Sequence, residues 1–263
     1  MTRLLIGMFV AVLLVITAGG IPARGEDHTA ATQSDVPLQR TARNLRAGDE
    51  LRLVLWGDSI SEVGRSPRWH GGASSPQKHW GALLVQKLHA EFPQARITLI
   101  PAGIGGQNSY EGLGRLDALE ALKPDLVIVA FGTNDCSHHP LQPEQSHRAQ
   151  AEMIDRIKKY ADVVNVSTAG NHPDDPKFSR VAQTVAASSQ ASSEQRVPFV
   201  DMFDAMTTLT SAGQRWGDYH LAAMNCHPND RGHEIWAQSI ARVILANVNS
   251  SAPASTTQPT AIR

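Results

Sequence analysis

The sequence has few of the features that mark several large classes of protein. Its 263 residues carry a formal net charge of −1, contain only two cysteines, and gather like charges in no run. That charge balance gives no sign of a basic surface that would bind nucleic acid or an anionic membrane. The histidines and cysteines show none of the spacings typical of metal sites, and no cofactor-binding motif is visible. We therefore expect a protein with no nucleic-acid partner, no metal and no cofactor.

Only one stretch is long enough and apolar enough to suggest a membrane. It runs from Leu4 to Thr17, follows Arg3, and precedes possible cleavage sites with small residues at 18–20 and at Ala23 and Gly25. A basic start, a short apolar stretch and small residues are typical of a secretory signal peptide. We interpret residues 1–25 as a cleaved signal peptide, with an uncleaved anchor as the alternative. The mature protein is then secreted or periplasmic, with no membrane insertion.

The rest of the chain is expected to form one α/β domain at residues 46–249. Residues 26–45 are polar and are interpreted as a linker, and residues 250–263 as a disordered tail. Five short apolar runs predict strands, at residues 51–56, 97–100, 126–131, 162–166 and 197–201. Segments of helical spacing separate these runs, which predicts a mostly parallel five-stranded sheet covered on both faces. The ligand site of such a sheet lies beyond the carboxyl ends of its strands.

Residues that could do chemistry follow the first two predicted strands. Gly57-Asp58-Ser59 is a tight turn that would present the Ser59 hydroxyl at the top of the sheet. A glycine-rich turn at residues 102–108 follows the second strand, and its backbone N–H groups could receive an oxyanion. A nucleotide-binding loop is the alternative for that turn, although its spacing is not that of the dinucleotide or P-loop motifs.

Two further polar residues are also candidates for the site at this edge of the sheet. Asn134 comes after the third strand, where its amide could donate to an oxyanion or, as the alternative, cap a helix or a turn. His227 lies in the loop that opens the last predicted helix, and from that position an imidazole could reach another strand end. A serine, a backbone N–H, an asparagine amide and a histidine are together the parts of an acyl-transfer site.

Four sequence blocks resemble the SGNH hydrolase family, also called the GDSL esterases. The blocks are GDSI at 57–60, AGIGGQNS at 102–109, GTND at 132–135 and HPNDRGH at 227–233. The resemblance implies a flavodoxin-like three-layer α/β/α fold and hydrolysis of carboxylic esters. It carries the nucleophile role to Ser59 and the general-base role to His227. The oxyanion hole would consist of the Ser59 and Gly103 N–H groups and the Asn134 side chain.

Two positions depart from the family pattern. Pro101 stands where the glycine block usually has asparagine, and Met224 stands where the triad acid usually precedes the histidine by three residues. Without an acid the histidine loses an orienting hydrogen bond and some stabilisation of the imidazolium. A backbone carbonyl could orient the ring in a Ser–His dyad, or Asp218 could reach in. We favour the dyad, assign no acid, and interpret Asp58 as a turn residue.

These residues lead to the hypothesis of an exported serine esterase or deacetylase. Its substrate would be a small-molecule or carbohydrate ester, with O-acetyl groups on a sugar as one candidate. One alternative is a catalytically weak relative that binds a glycan or cell-envelope component in the same cleft. Acyl transfer to a sugar would use the same residues. Trp69, in the loop that follows the nucleophile, is expected to line the cleft as a sugar platform or to pack.

The two cysteines are expected to form a disulfide. Cys136 lies two residues after Asn134, and Cys226 lies one residue before His227. If Asn134 and His227 converge on one carbonyl, the cysteines are near each other, because two residues span at most about 7 Å. An even cysteine count in an exported chain also favours a bridge. Two unrelated buried thiols are the alternative.

Overall fold

The structure is a computed structural model, and it describes residues 37–250 except residues 65, 67, 138, 173, 177 and 223. The expected signal peptide, residues 26–36 of the expected linker and residues 251–263 of the expected tail lie outside the described residues. Within the described part, no helix combines the length and the apolar composition needed to cross a membrane.

A five-stranded sheet forms the centre of the fold. Its strands are β1 Glu50–Gly57, β2 Arg96–Pro101, β3 Leu126–Ala130, β4 Asp162–Val166 and β5 Phe199–Val200. Their order is β2-β1-β3-β4-β5, and every neighbouring pair is parallel. This is the flavodoxin-like order, so the predicted sheet is confirmed. The chain changes direction across the sheet between β1 and β3, and a crevice at the carboxyl ends of these two strands follows from that change.

Helices cover both faces of the sheet. They are α1 Gln39–Ala47, α2 Trp80–Glu91, α3 Ser109–Leu113, α4 Leu116–Glu120, α5 Thr133–Cys136, α6 Pro143–Lys158, α7 Phe178–Glu194, α8 Met202–Ser211 and α9 Asp230–Ser250. Successive β1 side chains alternate between two cores: Leu53 and Leu55 pack with α1, α2, α8 and α9, whereas Val54 and Trp56 pack with α4, α6 and α7. This alternation follows from the two-residue period of a strand, and it confirms the three-layer architecture.

The last part of the expected linker is not a linker. Helix α1 occupies residues 39–47, and Leu38, Ala42 and Leu45 are buried in the core. Leu38 is the residue before the helix, and Ala42 and Leu45, three residues apart, lie on one helical face. The stretch is too short and too polar for that periodicity to stand out, so the folded domain begins before residue 46.

The segment around His227 also differs from expectation. Instead of a loop, it is an antiparallel hairpin of β6 His220–Leu221 and β7 Met224–Pro228. His227 lies near the end of β7, directly before α9. Neither strand shows an apolar alternation in sequence, so the pattern of apolar residues did not predict their pairing. His227 therefore comes from a strand rather than from a loop.

The predicted Cys136–Cys226 disulfide is wrong, because both side chains are thiols. The Cys136 thiol is buried against Val181 and Val185 of α7 and donates a hydrogen bond to the Thr133 carbonyl at 3.3 Å. Burial raises the pKa of Cys136 to about 12, which keeps it protonated. Chain length limits how far apart two loops can be, but it says nothing about the Cβ directions that a bridge requires.

Candidate active site

A cavity of about 330 Å³ opens where the carboxyl ends of β1 and β3 meet. It is lined by Ser59, Gly106, Thr133, Asn134, Ser137, Cys226 and His227. The candidate nucleophile, the candidate base and the candidate asparagine donor thus share one cavity. Gly103 is not among the lining residues, but it packs against the turn that carries Ser59.

The Ser59 turn is built for close backbone approach. At Gly57, an added Cβ would lie 2.4 Å from a backbone carbonyl of β3, so only glycine fits there. The Asp58 carboxylate accepts a hydrogen bond from the Ile60 N–H at 3.0 Å, which closes the turn. Burial raises the pKa of Asp58 to about 7. Asp58 acts on the backbone of the turn, and Ser59 projects from it into the cavity.

The Ser59 hydroxyl faces the His227 ring. The distance from Ser59 Oγ to His227 Nε2 is 2.8 Å. Trp69 contacts both residues: its Nε1 donates to the Ser59 carbonyl at 3.2 Å, and its ring meets the imidazole edge-on at 5.1 Å between centroids. Trp69 therefore packs the nucleophile turn against the histidine. This arrangement can pass a proton from the hydroxyl to the imidazole when Nε2 is unprotonated.

The second nitrogen of His227 contacts sulfur. Its Nδ1 lies 3.3 Å from Cys226 Sγ, and among the described residues no carboxylate is in hydrogen-bonding contact with the ring. Asp218, the alternative acid, pairs instead with Arg215 at 2.9 Å. Burial lowers the pKa of His227 from 6.5 to about 4, because a desolvated imidazolium is disfavoured.

The Asn134 amide is held at the cavity wall. Its Nδ2 donates one hydrogen bond to the Gln107 carbonyl at 2.9 Å, which leaves the second amide hydrogen for another acceptor. The neighbouring Asp135 carboxylate anchors this segment by accepting from the Ser109 N–H at 2.8 Å, the Ser109 hydroxyl at 2.6 Å and the Ser146 hydroxyl at 2.5 Å. Burial raises the pKa of Asp135.

The glycine block lies directly beside the nucleophile. An added Cβ at Gly103 would lie 2.7 Å from the Asp58 carbonyl oxygen, and one at Gly105 would lie 3.6 Å from the Ser59 Cβ. Any side chain at Gly103 would push the block away from the nucleophile turn. The backbone of residues 103–106 can therefore approach a substrate bound at Ser59, which is what an oxyanion donor needs.

Arg115 is a further residue of the site that the sequence pattern did not reveal. Its guanidinium donates to the Ala102 carbonyl at 2.9 Å, the Gly57 carbonyl at 3.1 Å and the Gln107 side chain at 2.6 Å. It also lies 3.5 Å above the Trp56 ring. Burial lowers the pKa of Arg115 to about 10, so it stays charged at neutral pH. Arg115 ties the nucleophile turn to the glycine block; no motif marks it, because it falls at the break between α3 and α4.

Comparison with known proteins gives a family match and a partial curated relative. The model of the GDSL-like Lipase/Acylhydrolase family matches residues 55–235. The Escherichia coli K12 protein named thioesterase 1/protease 1/lysophospholipase L1 is 31% identical over 114 residues, which are 43% of this chain and 48% of that protein. The alignment thus spans about half the length of that relative.

Similar solved structures are esterases. An acetyl-xylooligosaccharide esterase of Geobacillus stearothermophilus superposes with a TM-score of 0.63 at 22% identity, over 74% of this chain and 94% of that one. A two-domain esterase active on acetylated mannans superposes with a TM-score of 0.64 at 21% identity, over 87% of this chain and 58% of that one. Catalytic variants of the Geobacillus enzyme include serine, aspartate and histidine substitutions, with the aspartate three residues before the histidine. At these identities the likeness establishes the fold.

Proposed function

The chain belongs to the GDSL-like Lipase/Acylhydrolase family, a family of ester hydrolases, and on that premise we propose that it is an exported deacetylating serine esterase. The observation that carries the catalytic part is the 2.8 Å contact between Ser59 Oγ and His227 Nε2 at the cavity. Export is proposed from the sequence of residues 1–25 alone.

The proposed reaction has two steps. The Ser59 hydroxyl attacks the ester carbonyl while His227 Nε2 takes its proton, and the resulting oxyanion receives hydrogen bonds from the Ser59 and Gly103 N–H groups and from the Asn134 amide. Collapse of this intermediate passes the proton from His227 to the leaving alcohol. A water activated by His227 then hydrolyses the acyl-enzyme and restores Ser59.

The small volume of the cavity favours a short acyl group. About 330 Å³ lies at the lower end of the range for small-molecule sites. The acetyl-sugar esterases with a similar fold point to the same substrate class. We therefore propose O-acetyl groups on a carbohydrate as the substrate.

Acetate release tests this substrate class. Acetylated xylan and acetylated mannan would be incubated with the enzyme, beside p-nitrophenyl acetate and p-nitrophenyl palmitate. We expect acetate from at least one polysaccharide and a higher kcat/KM for the acetyl than for the palmitoyl ester. A preference for palmitate would contradict the proposal and favour a lipid or thioester substrate. Glycan binding without turnover of any ester would favour the non-catalytic alternative, and acetylated sugar products would indicate acyl transfer.

The acid limb of the pH profile should lie at an unusually low pH. His227 can accept the Ser59 proton only while its ring is neutral, which holds above its pKa, and burial lowers that pKa to about 4. Hence kcat/KM for p-nitrophenyl acetate should hold down to about pH 5, where an ordinary histidine with a pKa of about 6.5 would be mostly protonated. Circular dichroism at each pH is the control for unfolding. An acid limb near pH 6.5 would contradict a buried His227 whose positive charge no carboxylate stabilises.

Asn134→Ala should lower kcat by roughly 10²-fold with little change in KM, because an oxyanion donor acts mainly in the transition state. Asn134→Asp is the matched variant: it keeps the side-chain shape but removes the donor, and should lose at least as much. Steady-state kinetics on p-nitrophenyl acetate measures both. If KM alone rises, Asn134 binds the ground state and is not an oxyanion donor.

A further inference from the structure

The cavity is lined by a thiol that has no role in the proposed mechanism. Cys226 precedes His227 in β7, and its sulfur lies 3.3 Å from His227 Nδ1. The same thiol lines the cavity with Ser59. It therefore occupies the side of the ring opposite the nucleophile.

The Ser59 contact decides which atom donates in the sulfur contact. Ser59 can give its proton to His227 Nε2 only if Nε2 carries no hydrogen, and a neutral imidazole then carries its hydrogen on Nδ1. Cys226 Sγ lies 3.3 Å from His227 Nδ1, so it is placed to accept that hydrogen. Thiol sulfur is a weak acceptor, but at this site the described residues offer His227 no carboxylate.

We propose that Cys226 is the positioning residue of this site: its sulfur accepts the His227 Nδ1–H, which holds the catalytic tautomer and the ring orientation. This inference rests on the proposed Ser59–His227 chemistry. Cys226 acts only through His227. A neutral thiol orients the ring but adds no negative charge to stabilise the imidazolium, unlike the carboxylate of a Ser–His–Asp triad.

The other titratable groups around His227 do not supply that charge. His220 of β6 and His233 of α9 interact electrostatically with the ring. Both are buried, and burial lowers both pKa values, that of His220 to about 4. Both rings are therefore neutral near pH 7, and the thiol is the group that contacts Nδ1.

Three substitutions at one position separate orientation from charge. Cys226→Ala removes the acceptor and should lower kcat about tenfold with KM unchanged, less than the loss from a triad aspartate because a thiol is a weaker partner. Cys226→Ser restores an acceptor and should recover part of the rate. Cys226→Asp adds a carboxylate, and should move the acid limb of kcat/KM up by about one pH unit or more. Cys136→Ala, the buried thiol outside the cavity, should keep the wild-type pH profile.

Nitrogen-15 NMR of histidine-labelled protein reads the tautomer without any activity. The His227 signals, assigned by their loss in His227→Gln, should show Nδ1–H and an unprotonated Nε2 near neutral pH, and Cys226→Ala should populate the other tautomer. A wild-type Nε2–H tautomer, or wild-type kcat and pH profile in Cys226→Ala, would overturn the inference. If the wild-type protein hydrolyses no ester, the proposed function fails, whereas the tautomer shift still decides the role of Cys226.

Discussion

Ser59→Ala is expected to lower kcat/KM for p-nitrophenyl acetate by about 10⁴-fold or more, because a missing nucleophile removes the covalent route altogether. The geometric reason is that Ser59 Oγ is the hydroxyl 2.8 Å from His227 Nε2. Steady-state kinetics with a thermal unfolding curve measures activity and folding on the same sample. The loss should appear without a large change in melting temperature, because the hydroxyl projects into the cavity.

Ser61→Ala is the matched control for that substitution. Ser61 belongs to the same turn, but its hydroxyl is fully buried and has no hydrogen-bond partner among the described residues. Removing an unsatisfied buried hydroxyl costs little stability, so activity should stay within a few-fold of wild type. If Ser59→Ala kept its activity within about tenfold of wild type, Ser59 would not be the nucleophile.

His227→Ala should cost about 10⁴-fold in kcat, because Ser59 then has no base to take its proton. The double variant with Ser59→Ala should be little worse than the poorer single variant, since residues that act as one unit lose their effect together. His147 pairs with Glu194 on the helix surface. The His147→Ala variant is therefore the control and should leave kcat unchanged.

Additive losses would contradict this account. If the two single effects multiplied in the double variant, Ser59 and His227 would act in separate steps or on separate groups. A His227→Ala variant with nearly full activity would mean that another base reaches the Ser59 hydroxyl.

The strands and the order of the site could be predicted because they depend on local sequence. Each buried parallel strand is a short run of apolar residues, and Leu126–Ala130 is buried throughout. Ser59 and Asn134 follow such strands directly, so knowing that the sheet is parallel places both at one edge. The hairpin that carries His227 has no such pattern, and helix α1 is too short to show one.

Side-chain direction was beyond prediction. The spacing of Cys136 and Cys226 correctly tied each cysteine to a segment of the site, but Cys136 turns into the α7 layer, whereas Cys226 turns towards His227. The same limit concealed Arg115, whose contacts join three separate segments of the chain. Rotamers and long-range packing decide such contacts, and neither can be read from spacing.

Labelling with a fluorophosphonate tests the central claim most directly, because the reagent forms a covalent bond only with an activated serine and displaces fluoride. Peptide mapping by mass spectrometry should find one adduct, on Ser59, in the wild-type protein. The adduct should be absent from Ser59→Ala, strongly slowed in His227→Ala, and unchanged in Ser61→Ala. No adduct in the folded wild-type protein, or an adduct on another serine that persists in Ser59→Ala, would contradict the assignment of Ser59 as the nucleophile.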